Sequence, residues 1–257
     1  MVGAVIIAGG LTDQELFDKT GAREKALIPI CGRPMLDYAI EAVTSCRAIG
    51  EIVVACPADF EVAKRDWAGI RLTMTDGHSP IDSIVAGAQA LTKADKMLIC
   101  ACDVPLLTPE AVEQFVAEGL EADADCCYPI VEERIVEAEF PGCPRTYAQF
   151  RDGRFTSGNI ALVARSFAID RRDRIHQIYR VRKSKVKLAA MLGPMTVVQL
   201  LLGTASVARV ADRAAKMLDC SLAVVQCRHA EIAFDVDKPS DLELAEQILS
   251  EHACSCA

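Results

Sequence analysis

No segment of this 257-residue chain holds the roughly 18 uninterrupted apolar residues that a membrane-crossing helix requires. The first residues show no basic region followed by an apolar region and a small-residue cleavage site, so the expectation is a soluble, unexported, cytoplasmic protein. Basic charge is also short. Lys and Arg total 28 against 36 Asp and Glu, and the net charge of −8 argues against broad nucleic-acid binding. It also means that an anionic ligand would need local cations and a divalent ion. The four histidines lack metal-ligand spacing. There is no internal repeat or low-complexity linker. Two common phosphate fingerprints are missing as well: G-x-G-x-x-G for dinucleotides and the G-K-[ST] ending of a P-loop.

What is present begins with Val2-Gly3-Ala4-Val5-Ile6-Ile7-Ala8-Gly9-Gly10, an apolar run ending in two glycines. Continuous apolar runs are typical of buried parallel strands, and glycines at the strand end let backbone N–H groups approach an anion. Further strands are expected at Ala4–Ala8, Ile52–Cys56, Arg71–Thr73, Met97–Cys102, Cys126–Val131, Asn159–Val163 and Leu222–Gln226. Helices are expected to start near Pro34, Asp59, Pro80, Pro109 and Ser240. Thr108 before Pro109 is an N-cap with proline at the first helical position, and Ser240 with Glu243 fits a capping box. Such alternation implies βαβ units, with ligands at the carboxyl ends of the strands. Hydrophobic residues make up 51% of the chain, enough for one sizeable core. The twelve cysteines are scattered, and Cys56, Cys100, Cys102 and Cys227 fall inside apolar strands, as buried reduced thiols do.

Four segments occur in order: Gly9-Gly10 with Lys25-Ala26-Leu27 and Gly32-Arg33-Pro34-Met35-Leu36; Ala101-Cys102-Asp103-Val104-Pro105-Leu106; Ser157-Gly158-Asn159; and Phe234-Asp235-Val236-Asp237-Lys238-Pro239-Ser240-Asp241-Leu242. Together they resemble the nucleotidyltransferase superfamily that includes molybdenum-cofactor guanylyltransferases and the sugar-phosphate and methylerythritol-phosphate cytidylyltransferases. The resemblance implies a Rossmann-like three-layer α/β/α fold with a mostly parallel central sheet. It also implies a single domain over 1–257 with a partly helical acceptor-side elaboration at about 165–218. The implied reaction is Mg²⁺-dependent transfer of NMP from an NTP to a phosphorylated small molecule, with release of pyrophosphate. A nucleotide-sugar-dependent glycosyltransferase of related fold and a non-catalytic nucleotide-binding regulator are the alternatives.

By this resemblance Asp103 and Lys25 are the catalytic candidates. Ala8, Gly9, Gly10, Lys25, Ser83 and Gly87 are nucleotide-binding candidates, and Ser157, Gly158 and Asn159 face the acceptor. Asp103, Asp237 and Asp235 are the metal ligands, where related guanylyltransferases tend to carry asparagines at the last two positions. Asp235 and Asp237 are two apart, so on an extended segment they share a face. The competing readings are structural: Asp103 as a turn aspartate, Asp237 as a helix cap, and Ser79 with Asp82 as a capping pair below Ser83. The chain departs from the family pattern between Leu11 and Glu24, where the loop is longer and lacks an R-M-G sequence before the lysine. Lys19 is therefore a second candidate for the phosphate contact.

Between Arg165 and Gly203 the composition shifts. Arg165, Arg171, Arg172, Arg174, Arg180, Arg182, Lys183, Lys185 and Lys187 face only Asp170 and Asp173, and Met191–Leu202 is nearly all apolar. Charge runs are usually solvated faces, which here would flank a core or homodimer-interface helix. The sharper reading has Arg180, Arg182 and Lys183 supply a cation to an acceptor phosphate. Contact with a membrane surface is the minor alternative.

Overall fold

A computed structural model of the chain describes residues 1–75, 79–181 and 193–255. The elements follow as β1 (Val2–Ile7), α1 (Gln14–Thr20), β2 (Pro29–Ile30), β3 (Arg33–Pro34), α2 (Met35–Ser45), β4 (Ile49–Pro57), β5 (Arg71–Thr75) and α3 (Pro80–Ala90). Then come β6 (Lys96–Ala101), α4 (Pro109–Glu121), β7 (Cys126–Glu132), α5 (Glu133–Glu139), β8 (Ala148–Phe150), β9 (Gly153–Ser157) and β10 (Ile160–Ala164). The chain closes with α6 (Arg165–Asp170), α7 (Arg172–Val181), α8 (Pro194–Leu201), α9 (Val207–Leu218), β11 (Leu222–Cys227) and α10 (Pro239–Ser255).

Nine strands form one sheet in the order β5-β4-β1-β6-β10-β7-β9-β8, with β11 paired to β7. The block β5-β4-β1-β6 is parallel, and so is the pair β7-β11. Strand β10 runs against β6 and β7, and β9 against β7 and β8. The sheet is buried on both faces, which explains the continuous apolar runs. Ala4, Ile6, Val54, Cys56, Leu98 and Cys100 enter one core, while Val5, Val53, Ala55 and Met97 enter a smaller core on the opposite face. Cys56, Cys100, Cys102 and Cys227 are buried free thiols, and burial pushes Cys56 up to about 11.

The expected strands all form, and α2, α3 and α4 begin at Met35, Pro80 and Pro109. Ser79 and Asp82 make a full capping box on α3, and Thr108 caps α4 through the N–H of Ala111. Three expectations are corrected. Near Asp59 there is only a short 3₁₀ turn, Glu61–Lys64. The last helix starts at Pro239, and Ser240 lies inside it rather than capping it. The work assigned to Ser240 falls to Asp241, whose carboxylate accepts from the N–H groups of Asp237 and Lys238 at 3.1 and 3.0 Å. Finally, the segment after Gly10 is not a plain loop. Asp13 caps α1 by accepting from Leu16 N at 2.9 Å, and Gly21, at φ 69°, ends it.

The base of this insertion is closed. Leu11 bridges Glu24, and Thr12 N donates to Arg23 O at 3.0 Å. Glu24, 5% exposed, accepts from Glu61 N at 2.6 Å and Val62 N at 3.1 Å, pinning the insertion to the 3₁₀ turn. Glu24→Ala would leave both N–H groups without a partner and is expected to lower stability by about 1–3 kcal/mol. Urea denaturation of the purified variant measures it; an unchanged midpoint would show that the two groups find other partners.

Candidate active site

The site lies at the carboxyl ends of β1 and β6, where two neighbouring parallel strands open toward solvent. After β1 the chain passes Ala8, whose N–H is taken by Ala55 O at 2.8 Å, and reaches Gly9 and Gly10. Among the described residues neither glycine N–H makes a hydrogen bond, so both remain available to an anion. A side chain at Gly9 would press on Pro57, with a Cβ 3.1 Å from its Cδ and 3.5 Å from Ser83 Oγ. Glycine keeps this floor open, and Ser83 forms part of it. Lys25 N donates to Gly10 O at 2.9 Å, so the closed insertion returns the lysine to the glycine pair despite its length.

Beyond β6, Asp103 projects beside Lys25. Asp103 O accepts from Val236 N at 2.9 Å, which fixes the closing segment against the loop that follows β6. Val236 is fully buried, so its neighbours Asp235 and Asp237 share the opposite, outward face, as the alternation of an extended segment requires. Carboxylate oxygens of Asp103, Asp235 and Asp237 lie within 4.8 Å of one another. Lys25 Nζ donates to Asp103 Oδ2 at 3.1 Å and to Asp237 Oδ1. Arg145 Nη1 donates to Asp235 Oδ1 at 2.7 Å.

Two cations thus face three carboxylates. Burial, then the charges of Asp103 and Asp237, push the Asp235 carboxyl up to about 6 against the pull of Arg145 and Lys25. Burial also opposes ionisation of Asp237, but the hydrogen bond and charge of Lys25 outweigh it and hold that carboxyl below its usual range. Burial disfavours the Lys25 cation too, and Asp103 and Asp237 more than reverse this, raising its pKa. The cluster has an excess of negative charge and a hard-oxygen donor set.

Next to it is a cavity of about 240 Å³ bordered by Thr156, Ser157, Asn159, Asp235, Asp237 and Lys238. Asn159 N donates to Ile232 O at 2.8 Å and Asn159 O accepts from Ala101 N at 3.1 Å, tying this loop to the end of β6. Gly158 is a packing position: a Cβ there would come within 2.5 Å of Ile232 Cγ2 and 2.8 Å of Pro129 Cγ.

The structure therefore gathers Gly9, Gly10, Lys25, Ser83, Asp103, Ser157, Asn159, Asp235 and Asp237 around one cleft. It does not do so for every candidate. Ala8 uses its N–H in the sheet, and Gly87 is where α3 presses on β1, since a Cβ there would overlap Val5. Lys19 pairs with Glu243 rather than with Asp103, Asp235 or Asp237.

Three of the five described arginines of the basic run bond carbonyls at or near helix ends, and Arg172 pairs with Asp173. Arg165 Nε donates to Ala88 O at 2.7 Å near the end of α3, while Arg171 and Arg174 bond the terminal carbonyls of α9. Arg180 is exposed; Arg182, Lys183, Lys185, Lys187, Met191 and Leu192 lie outside the described residues. Sequence reasoning missed Arg145, Lys238 and Asp241. The last two lie in the closing motif itself, and Arg145 carries no local signal beyond being a lone arginine in a Pro- and Gly-containing loop.

Among the described residues no helix is long and apolar enough to cross a membrane. A probable molybdenum cofactor guanylyltransferase of Thermococcus gammatolerans is 27% identical over 167 residues, 63% of this chain and 79% of the relative. A 3-deoxy-manno-octulosonate cytidylyltransferase of Coxiella burnetii is 32% identical over 124 residues, 45% of this chain and 49% of that protein. The solved structure of a hypothetical transferase from Thermus thermophilus matches with a TM-score of 0.80 and 30% identity, over 94% of this chain and all of the other. The family described as the MobA-like NTP transferase domain matches residues 4–152, which include Gly9, Gly10, Lys25 and Asp103. With more than half its length matched, and with relatives named for guanylyl and cytidylyl transfer, the chain belongs to the MobA-like NTP transferase family and is a nucleotidyltransferase.

Proposed function

We propose that the protein transfers NMP from an NTP to a phosphorylated small molecule, using Mg²⁺ held by Asp103, Asp235 and Asp237. The observation that carries this reading is the cluster of three carboxylates beside Lys25 at the ends of β1 and β6. Its hard oxygen donors suit Mg²⁺, which is bound by carboxylate and phosphate oxygens and retains waters, so that one or two of the three carboxylates would ligate it directly and the remainder through water. When bound, the ion would neutralise charge developing on the phosphate oxygens.

The chain's own residues do the rest. The free N–H groups of Gly9 and Gly10 receive the triphosphate, and Lys25, adjacent to Gly10, adds a point charge to it. Ser157 and Asn159 orient the acceptor in the neighbouring cavity. Lys238, which among the described residues has no carboxylate partner, supplies the acceptor phosphate with the cation first sought in the basic run. An acceptor oxygen then bonds to the α-phosphorus, the bond from that phosphorus to the bridging oxygen breaks, and pyrophosphate leaves with the electron pair. Catalysis here is positioning and electrostatic stabilisation.

A thermal-shift screen of NTPs and sugar or polyol phosphates with Mg²⁺ tests the reading, since a ligand at 100 times its Kd adds about 2.7 kcal/mol of stability. Stabilisation by NTP with Mg²⁺ is expected; stabilisation by nucleotide sugars alone would favour the glycosyltransferase reading.

Acid should weaken the divalent ion. With Asp235 raised to about 6, the folded state binds its proton more tightly than the unfolded chain does, and that proton competes with a cation. The Mg²⁺-induced rise in Tm is expected to be largest near pH 8 and to fade as pH drops through about 6. A shift that stays constant to about pH 5 would remove Asp235 from the ligand set.

A further inference from the structure

Arg145 lies between α5 and β8, with its side chain only 9% exposed. Its Nη1 donates to Asp235 Oδ1 at 2.7 Å and its Nη2 to the Asp235 backbone oxygen at 2.9 Å, so one guanidinium grips both the side chain and the main chain of one residue. The guanidinium carbon sits 4.7 Å from the centroid of the Phe234 ring. Nη2 is also 3.8 Å from Asp241 Oδ1, and the Asp241 carboxylate holds the N–H groups of Asp237 and Lys238. Every residue from Phe234 to Lys238 except Val236 is therefore tied to Arg145 directly or through Asp241, and Val236 is anchored to Asp103 O at 2.9 Å. Meanwhile Arg145 Nε is buried and, among the described residues, without a hydrogen-bond partner. Burying a guanidinium with an unmatched donor is unfavourable, so this arginine is poorly explained as a generic stabilising ion pair.

We propose that Arg145 is a positioning residue that presets Asp235, and with it the closing segment, in the geometry of the metal-ligand set. The inference rests on the reading that Asp103, Asp235 and Asp237 hold a divalent cation. Arg145 also borders the neighbouring cavity, but the role assigned to it is to fix the direction of one carboxylate, as outer partners of metal ligands do. A lysine would keep the charge but not the fork that reaches side chain and backbone at once.

The test is Mn²⁺ binding to the nucleotide-free protein, followed by the electron paramagnetic resonance of free Mn²⁺. Wild type would be compared with Arg145→Lys, Arg145→Met, Asp235→Asn and the double variant Arg145→Met/Asp235→Asn. Arg145→Met is expected to weaken Mn²⁺ binding by about 10- to 100-fold, with only a minor part recovered in Arg145→Lys. In the Asp235→Asn background the same change should add less than about twofold, because the residue through which it acts is already altered. Circular dichroism checks the fold; if Arg145→Met does not fold, Arg145→Lys carries the test, since it retains the charge and is still expected to bind Mn²⁺ more weakly. Unchanged or tighter Mn²⁺ binding in the folded Arg145 variants, the latter marking Arg145 as a competitor for Asp235 as Lys25 is for its partners, or an undiminished effect in the Asp235→Asn background, would overturn the proposal alone. Failure of the wild type to bind Mn²⁺ would overturn it together with the metal reading.

Discussion

Asp103→Asn is expected to reduce pyrophosphate release by about 10²- to 10³-fold while leaving the fold intact, the scale on which loss of one preorganised electrostatic contributor acts. The asparagine is nearly isosteric and keeps the backbone oxygen that accepts from Val236 N, so the closing segment should stay in place. What it removes is one anionic ligand from a set whose oxygens lie within 4.8 Å, together with a partner of Lys25. Far-UV circular dichroism and Tm should match wild type closely. Wild-type turnover in a folded Asp103→Asn would return this residue to the role of a turn aspartate. Asp237→Ala should act in the same direction but less severely, because its side chain is 56% exposed and its N–H is held by Asp241 whatever the side chain.

Lys25→Ala is expected to lower kcat and kcat/KM together by about 10²-fold or more, the pattern of an interaction made mainly in the transition state. It should also have an effect that a purely structural lysine would not. In the free protein the Lys25 ammonium bonds both Asp103 and Asp237, so it competes with a divalent cation for those carboxylates. Removing it should tighten Mn²⁺ binding to the nucleotide-free protein even as turnover collapses. Steady-state kinetics and metal titration of one preparation measure both effects. A loss confined to KM would mark Lys25 as a ground-state contact. A silent Lys25→Ala with a damaging Lys19→Ala would move the phosphate contact into the insertion, against the observed pairing of Lys19 with Glu243.

What was legible in the sequence is what short-range chemistry encodes. Strands buried on both faces are continuous apolar runs, and glycines and aspartates at their carboxyl ends mark the cleft. The two-residue spacing of Asp235 and Asp237 placed them on one face because Val236 must point inward. The failures arise where a contact is made at long range. Arg145 meets Asp235 across 90 positions, and nothing near it in the chain announces that partner. Glu24 caps a turn 37 residues away, and nothing near either residue announces that contact. Gly87 and Gly158 fit motif spacings yet are small because Val5 and Ile232 lie against them. The basic residues of α6 and α7 were expected chiefly as a solvated face, and three of them instead answer helix carbonyls, while Arg182 and Lys183 of the phosphate reading lie outside the described residues. The α1 insertion could have been read from its Asp13 cap and Gly21 end; its departure from the family pattern drew attention to what it lacked instead.

The most direct measurement follows the α-phosphorus itself. The protein would be incubated with Mg²⁺, an NTP labelled at the α-phosphate, and a panel of sugar and polyol phosphates. Nucleotidyl transfer at this cluster predicts label in a new acceptor–NMP product, one unlabelled pyrophosphate released per product, and loss of both in Asp103→Asn. Label that stays in the NTP across the panel, or product formed only from a preformed nucleotide sugar with release of NDP, would contradict it.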